Sequence, residues 1–137
     1  LVLFKENGIP YASFNGAGAS TAKTKDGTLG FINKRAEAYW RFREELDPGQ
    51  QGGSAIALPP DPQLRSDLAA ATWKLTTRGI QIESKEDIKD RIGRSPDRGD
   101  AVVMALSEGG KAAARALSHR AGYVPKVIMA QGPRRLQ

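Results

Sequence analysis

The stretch that decides the reading is "SPDRGDAVVMAL", residues 95–106. Ser95-Pro96 opens a helix: a serine N-cap, then a proline at the first helical position, where no backbone N–H is needed. With Ser95 as N-cap, Pro96 stands at N1, Asp97 at N2 and Asp100 at N5. A carboxylate at N2 meets the helix dipole and free N–H groups, a stabilisation of about 0.3–1 kcal/mol that explains Asp97 without any further role. Asp100 lies past the first turn, where that effect has faded. It runs straight into Ala101, Val102, Val103, Met104, Ala105 and Leu106, apolar on every side of a helix and so expected to be buried. A carboxylate at the mouth of a buried helix must be paired, protonated or bound to a cation. Arg91, Arg94 and Arg98 are the nearby partners, and spacing alone favours a structural ion pair over a metal.

Moving upstream, "TWKLTTRGIQIES" (72–84) alternates on both sides of Arg78-Gly79, which predicts a β-hairpin of 72–77 with 80–83. Ser84 caps a short helix, with Asp87 in capping-box position and Gly93 as its stop. In "AIALPPDPQL" (55–64) the stretch 56–58 is a short strand at most, and the prolines introduce a helix over about 62–71. "FINKRAEAYWRFREEL" (31–46) is the clearest helix, with Ile32, Ala36 and Trp40 on one stripe and Phe42 and Leu46 on a second apolar edge. Residues 16–30, "GAGASTAKTKDGTLG", lack apolar periodicity and read as a mobile loop. "IPYASFN" (9–15) reads as a short strand after a helix end over 1–7 that Asn7-Gly8 closes. Gly109-Gly110 closes the helix that begins at Ser95. The expected division is 1–108 and a basic, loosely structured tail, 109–137.

Composition narrows the chemistry. At 137 residues the chain has room for one core, and no apolar run approaches the length of a membrane helix. Without cysteine there is no disulfide and no thiolate metal site. The net charge of +6 sits in 111–137, on Lys111, Arg115, Arg120, Lys126, Arg134 and Arg135, with no Asp or Glu there, so the first 110 residues are neutral. That tail can attract phosphate or simply keep the protein in solution. His119, the one histidine, lies in the tail and is given no role; zinc sites and Ser/His/Asp catalysis lose their support with it. No Gly-Lys-Ser or Gly-Lys-Thr occurs, so there is no P-loop. Trp40 and Trp73, with Tyr39, have the type for base stacking, but core packing is the expected job of both tryptophans. If the chain does chemistry, oxygen-ligated Mg²⁺ or Mn²⁺ is what remains.

Three blocks in order resemble one family: "NKRAEAYWRFREEL" (33–46), "LPPDPQLRSDLAAATWKLTTRGIQIESKEDIKDRIGRSPDRGDA" (58–101) and the preceding "IPYASFNGAGAS". Together they are similar to the C-terminal nuclease lobe of tailed-phage terminase large subunits, over roughly residues 5–106. The resemblance implies an α/β, partial RNase H-like nuclease fold in which a carboxylate cluster holds two Mg²⁺ or Mn²⁺ ions that cut concatemeric DNA during packaging. Asp100 matches the last acidic position of that cluster, and Asp97, one turn earlier, is the helper or second candidate. Lys85, Arg94, Arg98, Lys23 and Lys25 are the expected contacts to double-stranded DNA. The implied partners are upstream ATPase and nuclease segments of the same protein, with portal and terminase small subunit. ATP would enter only through a motor domain absent from this chain, and the setting is the cytoplasm of a bacterial host, with no membrane.

Gly99 departs from the family, which has a small non-glycine residue there, and weakens the helix mildly. The cluster's earlier carboxylates and several sheet strands lie upstream of anything in the chain, which begins at Leu1 as if inside an element. The expectation is therefore a fragment or truncated remnant, inactive alone. The alternatives are a non-catalytic DNA- or protein-binding module left by truncation and a decayed prophage gene.

Overall fold

Asn33 sets where the first helix begins. Its side chain accepts from the Ala36 N–H at 2.8 Å, so α1 runs Lys34–Leu46 rather than from Phe31. The computed structural model describes Glu6, residues 13–54 and residues 56–107. Of the helix end over 1–7 only Glu6 is described, and it is helical; the first half of the strand over 9–15, His119 and the basic tail lie outside the described residues. Residues 13–15 carry no strand, and 56–58 are irregular as well.

Phe31 is withheld from α1 because the sheet uses it. It makes a parallel bridge with Ile80: the Ile32 N–H donates to the Ile80 carbonyl at 3.1 Å, and the Ile80 N–H to the Gly30 carbonyl at 2.9 Å. The hairpin consists of β1 (Trp73–Thr76) and β2 (Gly79–Ile82), antiparallel from Trp73↔Ile82 to Thr76↔Gly79. Its two-residue turn is Thr77-Arg78, one position before the expected Arg78-Gly79. Gly79 opens β2 with φ +120°, and a Cβ there would collide with the Gly30 carbonyl. Close backbone approach is why this position is glycine.

The loop 16–30, expected to be mobile, is tied down. The Lys34 and Arg35 N–H groups at the start of α1 donate to the Gly18 and Gly16 carbonyls at 2.8 and 2.9 Å. Lys23 bridges Gly30, and buried Thr24 donates from its hydroxyl to Asp26 at 2.5 Å. Backbone polar groups at a helix start need partners, and this loop supplies them.

The remaining helices follow the sequence signals closely. Asp61 caps α2 (Pro62–Ala70), accepting from the Gln63 and Leu64 N–H groups. Ser84 caps α3 (Lys85–Ile92), accepting from the Asp87 N–H at 3.0 Å, and Gly93 ends it in the left-handed region at φ +76°. The last helix, α4, spans Asp97–Leu106. One cluster packs Ala38, Tyr39 and Phe42 of α1 on Val103 of α4; a second joins Phe31, Ala36 and Ile80.

Two burial expectations are overturned. Only Gly99, Asp100 and Val103 of α4 are buried, while Ala101, Met104, Ala105 and Leu106 are exposed. Among the described residues, α1 and α2 cover one side of α4 and nothing covers the other. Trp73 is 49% exposed, although its ring meets that of Trp40 edge to face, with centroids 4.9 Å apart. The described residues thus form a mixed α/β arrangement of four helices and a two-stranded antiparallel sheet. No helix among them is long and apolar enough to cross a membrane.

Candidate functional site

The start of α4 differs from the expected one in a way that matters for both aspartates. Pro96, not Ser95, occupies the N-cap position, so Asp97 is N1, Gly99 is N3 and Asp100 is N4. The Ser95 hydroxyl donates to Asp97 Oδ1 at 2.7 Å instead of capping the helix. The cap comes from another element. Asp67 of α2, completely buried, turns Oδ2 to the Arg98 N–H at 3.1 Å and the Gly99 N–H at 3.4 Å, while Oδ1 pairs with Arg94. A helix start lacking its own cap is thereby satisfied by a neighbour's carboxylate.

Gly99 is what lets α2 come that close. A Cβ at this position would stand 2.9 Å from Asp67 Cβ and 3.2 Å from the Asp67 carbonyl carbon. The glycine that looks like a mild helix weakness in sequence is a contact point between two helices.

Asp100, 3% exposed, lies between three elements. Its Oδ1 accepts from the Tyr39 hydroxyl at 2.5 Å and faces Arg35 Nη2 at 3.4 Å. Its Oδ2 faces Lys85 Nζ at 3.3 Å, and the same ammonium lies 2.7 Å from Asp97 Oδ1. Arg35 is fixed in turn: its guanidinium lies over the Tyr39 ring at 4.7 Å and donates to the Glu83 carbonyl at 2.5 Å. Burial, with the Asp100 carboxylate beside it, pushes the Tyr39 phenol well above its ordinary value. Hydrogen bonds from Lys85 and Ser95 hold the Asp97 carboxyl below the ordinary carboxylate value. Lys85 is raised, by its bond to Asp97 first and by Asp100 next.

None of the expected arginines reaches Asp100. Arg91 pairs with Glu83 at 2.7 Å, Arg94 with Asp67 and Arg98 with Asp61 at 2.5 Å. The real partners include Arg35 and Tyr39, which stand 65 and 61 residues away in sequence. Their i, i+4 spacing on α1 was the available signal, since it puts both on one helix face.

The five expected DNA contacts are not gathered on one surface. Lys85 sits between the two aspartates, and Arg94 and Arg98 lie at the α2–α4 contact. Lys25 reaches Glu45 and Gln50, both at 3.3 Å, and Glu45 is about 15 Å along α1 from Arg35. Lys23 belongs to the same loop. A separate cleft of about 910 Å³, lined by Phe14, Ala38, Phe42, Ile56 and Leu106 among others, does not include Asp100.

The donor chemistry is clear. Asp97 Oδ1 and Asp100 Oδ2 converge on a single positive charge, the Lys85 ammonium. Hard carboxylate oxygens of this kind suit Mg²⁺ or Mn²⁺. Among the described residues, no group of three or more His, Cys, Asp or Glu comes together to hold a metal. The fit to a divalent ion is thus partial, two oxygen-donor residues of the larger number such an ion takes. No family model, curated protein or solved structure matches the chain.

Proposed function

We propose that the chain contributes Asp100, with Asp97 as helper, to the metal site of an RNase H-like DNA endonuclease of the terminase large-subunit kind. The observation that carries this reading is the convergence of two carboxylates from one helix turn on a shared cation, Lys85 Nζ, at 2.7 and 3.3 Å. The resemblance over residues 5–106 supplies the family, and Asp100 is the residue that it selects. The side of α4 that no described residue covers, with Met104 and Leu106 exposed, supports a further element packing there.

The divalent ions, when bound, would activate water and stabilise the leaving oxygen of the scissile phosphodiester. The chain's own residues do the positioning. Tyr39 and Arg35 hold Oδ1 of Asp100, and Oδ2 faces the Lys85 ammonium. Asp67 and Gly99 set the height of the α4 turn. Lys85 brings positive charge to that turn, where a DNA backbone would be held, while Arg94 and Arg98 beside it are paired with Asp67 and Asp61. The remaining carboxylates, the ATP-driven motor, and contacts to portal and small subunit belong to segments and partners beyond this chain.

A second reading has its own observation. Asp100 is fully partnered by Tyr39, Arg35 and Lys85, as a purely structural carboxylate would be, and the chain would then be a non-catalytic binding module. Plasmid cleavage in Mg²⁺ or Mn²⁺ decides between them. The 137-residue chain alone is expected not to cut. A longer polypeptide carrying the remaining carboxylates is expected to cut, and Asp100→Asn to lower its rate by 10²-fold or more, on the order of one lost charge stabilisation. Undiminished cleavage by a folded Asp100→Asn protein would overturn the nuclease role of Asp100. Metal-dependent cleavage by the chain alone would overturn its dependence on other segments.

A further inference from the structure

We infer that the outer edge of β1 docks an extended, acidic segment of a partner protein, which adds to the hairpin as an antiparallel strand whether or not Asp100 holds a metal. The hairpin shows which backbone groups are on offer. The Ile80 N–H donates to the Gly30 carbonyl and the Ile80 carbonyl accepts from the Ile32 N–H, both on the side away from β1. In an antiparallel ladder, a residue whose groups point outward stands opposite one whose groups point outward on the other side. Leu75 is opposite Ile80, and Trp73, two residues back, is opposite Ile82. Leu75 and Trp73 therefore each direct an N–H and a carbonyl to the outer edge of β1. No backbone partner meets them among the described residues. Open groups at a two-residue spacing are the template that an added strand uses.

The side chains on that edge set what the strand must carry. Trp73 and Leu75 share one face, 49% and 58% exposed, and extend past β2 the apolar face on which Ile80 packs with Phe31 and Ala36. Trp40 meets Trp73 edge to face, and Arg43 lies over the Trp40 ring at 4.7 Å. Lys74 stands on the other face of β1 and Arg78 in the turn, both exposed. Among the described residues, none of Lys74, Arg78 and Arg43 is paired with a carboxylate. Two neighbouring acids are already engaged: Glu83 by Arg91, and Glu44 by the Trp40 indole N–H and the backbone N–H of Lys25. A strand beside β1 places one side chain directly across from Lys74, where an opposite charge contributes about 0.2–1 kcal/mol and a like charge is destabilising. That decides between occupants. In a pair of copies, the register that satisfies Trp73 and Leu75 on both sets Lys74 against Lys74. Residues 111–137 of this chain bring Lys and Arg with no Asp or Glu. An acidic residue between two apolar ones answers Lys74, Trp73 and Leu75 together.

Fluorescence of Trp40 and Trp73, the two tryptophans of the 137-residue chain, reads the test. The probe is a short capped peptide of alternating valine and glutamate. It is expected to give a saturable change, with affinity lowered roughly tenfold by Lys74→Glu, the scale of turning one cross-strand attraction into a repulsion. Leu75→Pro removes an outward N–H without touching the β1–β2 ladder, a place where an edge strand accepts proline. It is expected to abolish binding while the circular dichroism stays native. Methylating the valine nitrogens of the peptide is expected to do the same with the protein unaltered, so the test holds even where Leu75→Pro fails to fold. No binding of the glutamate peptide, equal binding of a lysine counterpart, or binding that survives methylation would overturn the proposal. So would a dimer in sedimentation that Leu75→Pro dissolves, which assigns the edge to a second copy. Tighter binding of a single-stranded oligonucleotide that displaces the peptide would overturn it in favour of nucleic acid.

Discussion

At Asp100 the deciding contact is a phenol. Tyr39 donates to Oδ1 at 2.5 Å inside the protein, where a hydrogen bond to a carboxylate contributes about 1.5–3 kcal/mol. Tyr39→Phe is expected to lower unfolding stability by that amount in urea, with the core packing of the ring retained. Asp100→Ala removes the partner of Tyr39, Arg35 and Lys85 together and is expected to cost about 3–5 kcal/mol, the range for breaking a buried pair from one side. The phenol also gives a pH test. Its pKa in the folded chain is raised, first by burial and next by Asp100, so its contribution is fully present below the unfolded value of ~10 and fades as pH rises through the folded one. The chain has three tyrosines, and the last phase of an alkaline phenolate titration is expected to vanish in Tyr39→Phe. A native chain whose tyrosines all ionise together near pH ~10 would contradict this.

Between elements, a few short side chains and glycines control how helices and hairpin meet. Gly99→Ala improves intrinsic helix propensity by about 1 kcal/mol, yet its Cβ would press on Asp67 of α2 at 2.9 Å. The steric term wins because α2 backbone, not a flexible side-chain tip, must move, and a net loss of about 1–3 kcal/mol in urea unfolding is expected. A neutral or stabilised Gly99→Ala would show that the two helices are not held this closely. At the other end of the hairpin, Arg91 ties α3 back to Glu83 at 2.7 Å and chiefly by that bond pulls the Glu83 carboxyl down to about 2. The sign follows: the pairing helps above the unfolded value of about 4.5 and is lost as pH falls through about 2. Arg91→Ala is expected to return the Glu83 carboxyl towards its ordinary range in a carbon-detected NMR titration, and an unmoved Glu83 would remove Arg91 as the cause. Elements with local signals were legible in the sequence. The prolines before the helix over 62–71, Ser84, Gly93 and the alternation of the hairpin each act within a few residues, so each is readable from a short window. The start of α1 was not, because Phe31 is drawn off by a bridge to Ile80 that no local pattern announces. The cap of α4 is equally non-local: Ser95 has the residue type of a cap, but Asp67, far upstream, is the one that bonds.

For the whole molecule, what was legible in the candidate site was its carboxylates and not their company. Asp97 and Asp100 stand out because two charges precede an apolar run. Arg35 and Tyr39 meet them only once α1 packs on α4, and nearby arginines were the natural but wrong guess, since Arg94 and Arg98 are committed to Asp67 and Asp61. Burial was over-read as well: apolar composition on all sides of α4 did not bury it, because burial needs neighbours and the described residues supply them on one side. The face of α4 left uncovered among the described residues, the half-exposed Trp73 and the shared cation at Lys85 all depend on how the elements pack together. The proposed nuclease role needs Asp97 and Asp100 to serve as two of the carboxylates that hold a divalent metal in a longer polypeptide. Diffraction from crystals grown with Mn²⁺, collected for the anomalous signal of manganese, tests it most directly. For that longer polypeptide the expected result is a manganese peak at about 2.1 Å from a carboxylate oxygen of Asp100, the distance of a hard cation to its ligand. No peak there, with the Lys85 ammonium still bridging Asp97 and Asp100, would contradict it.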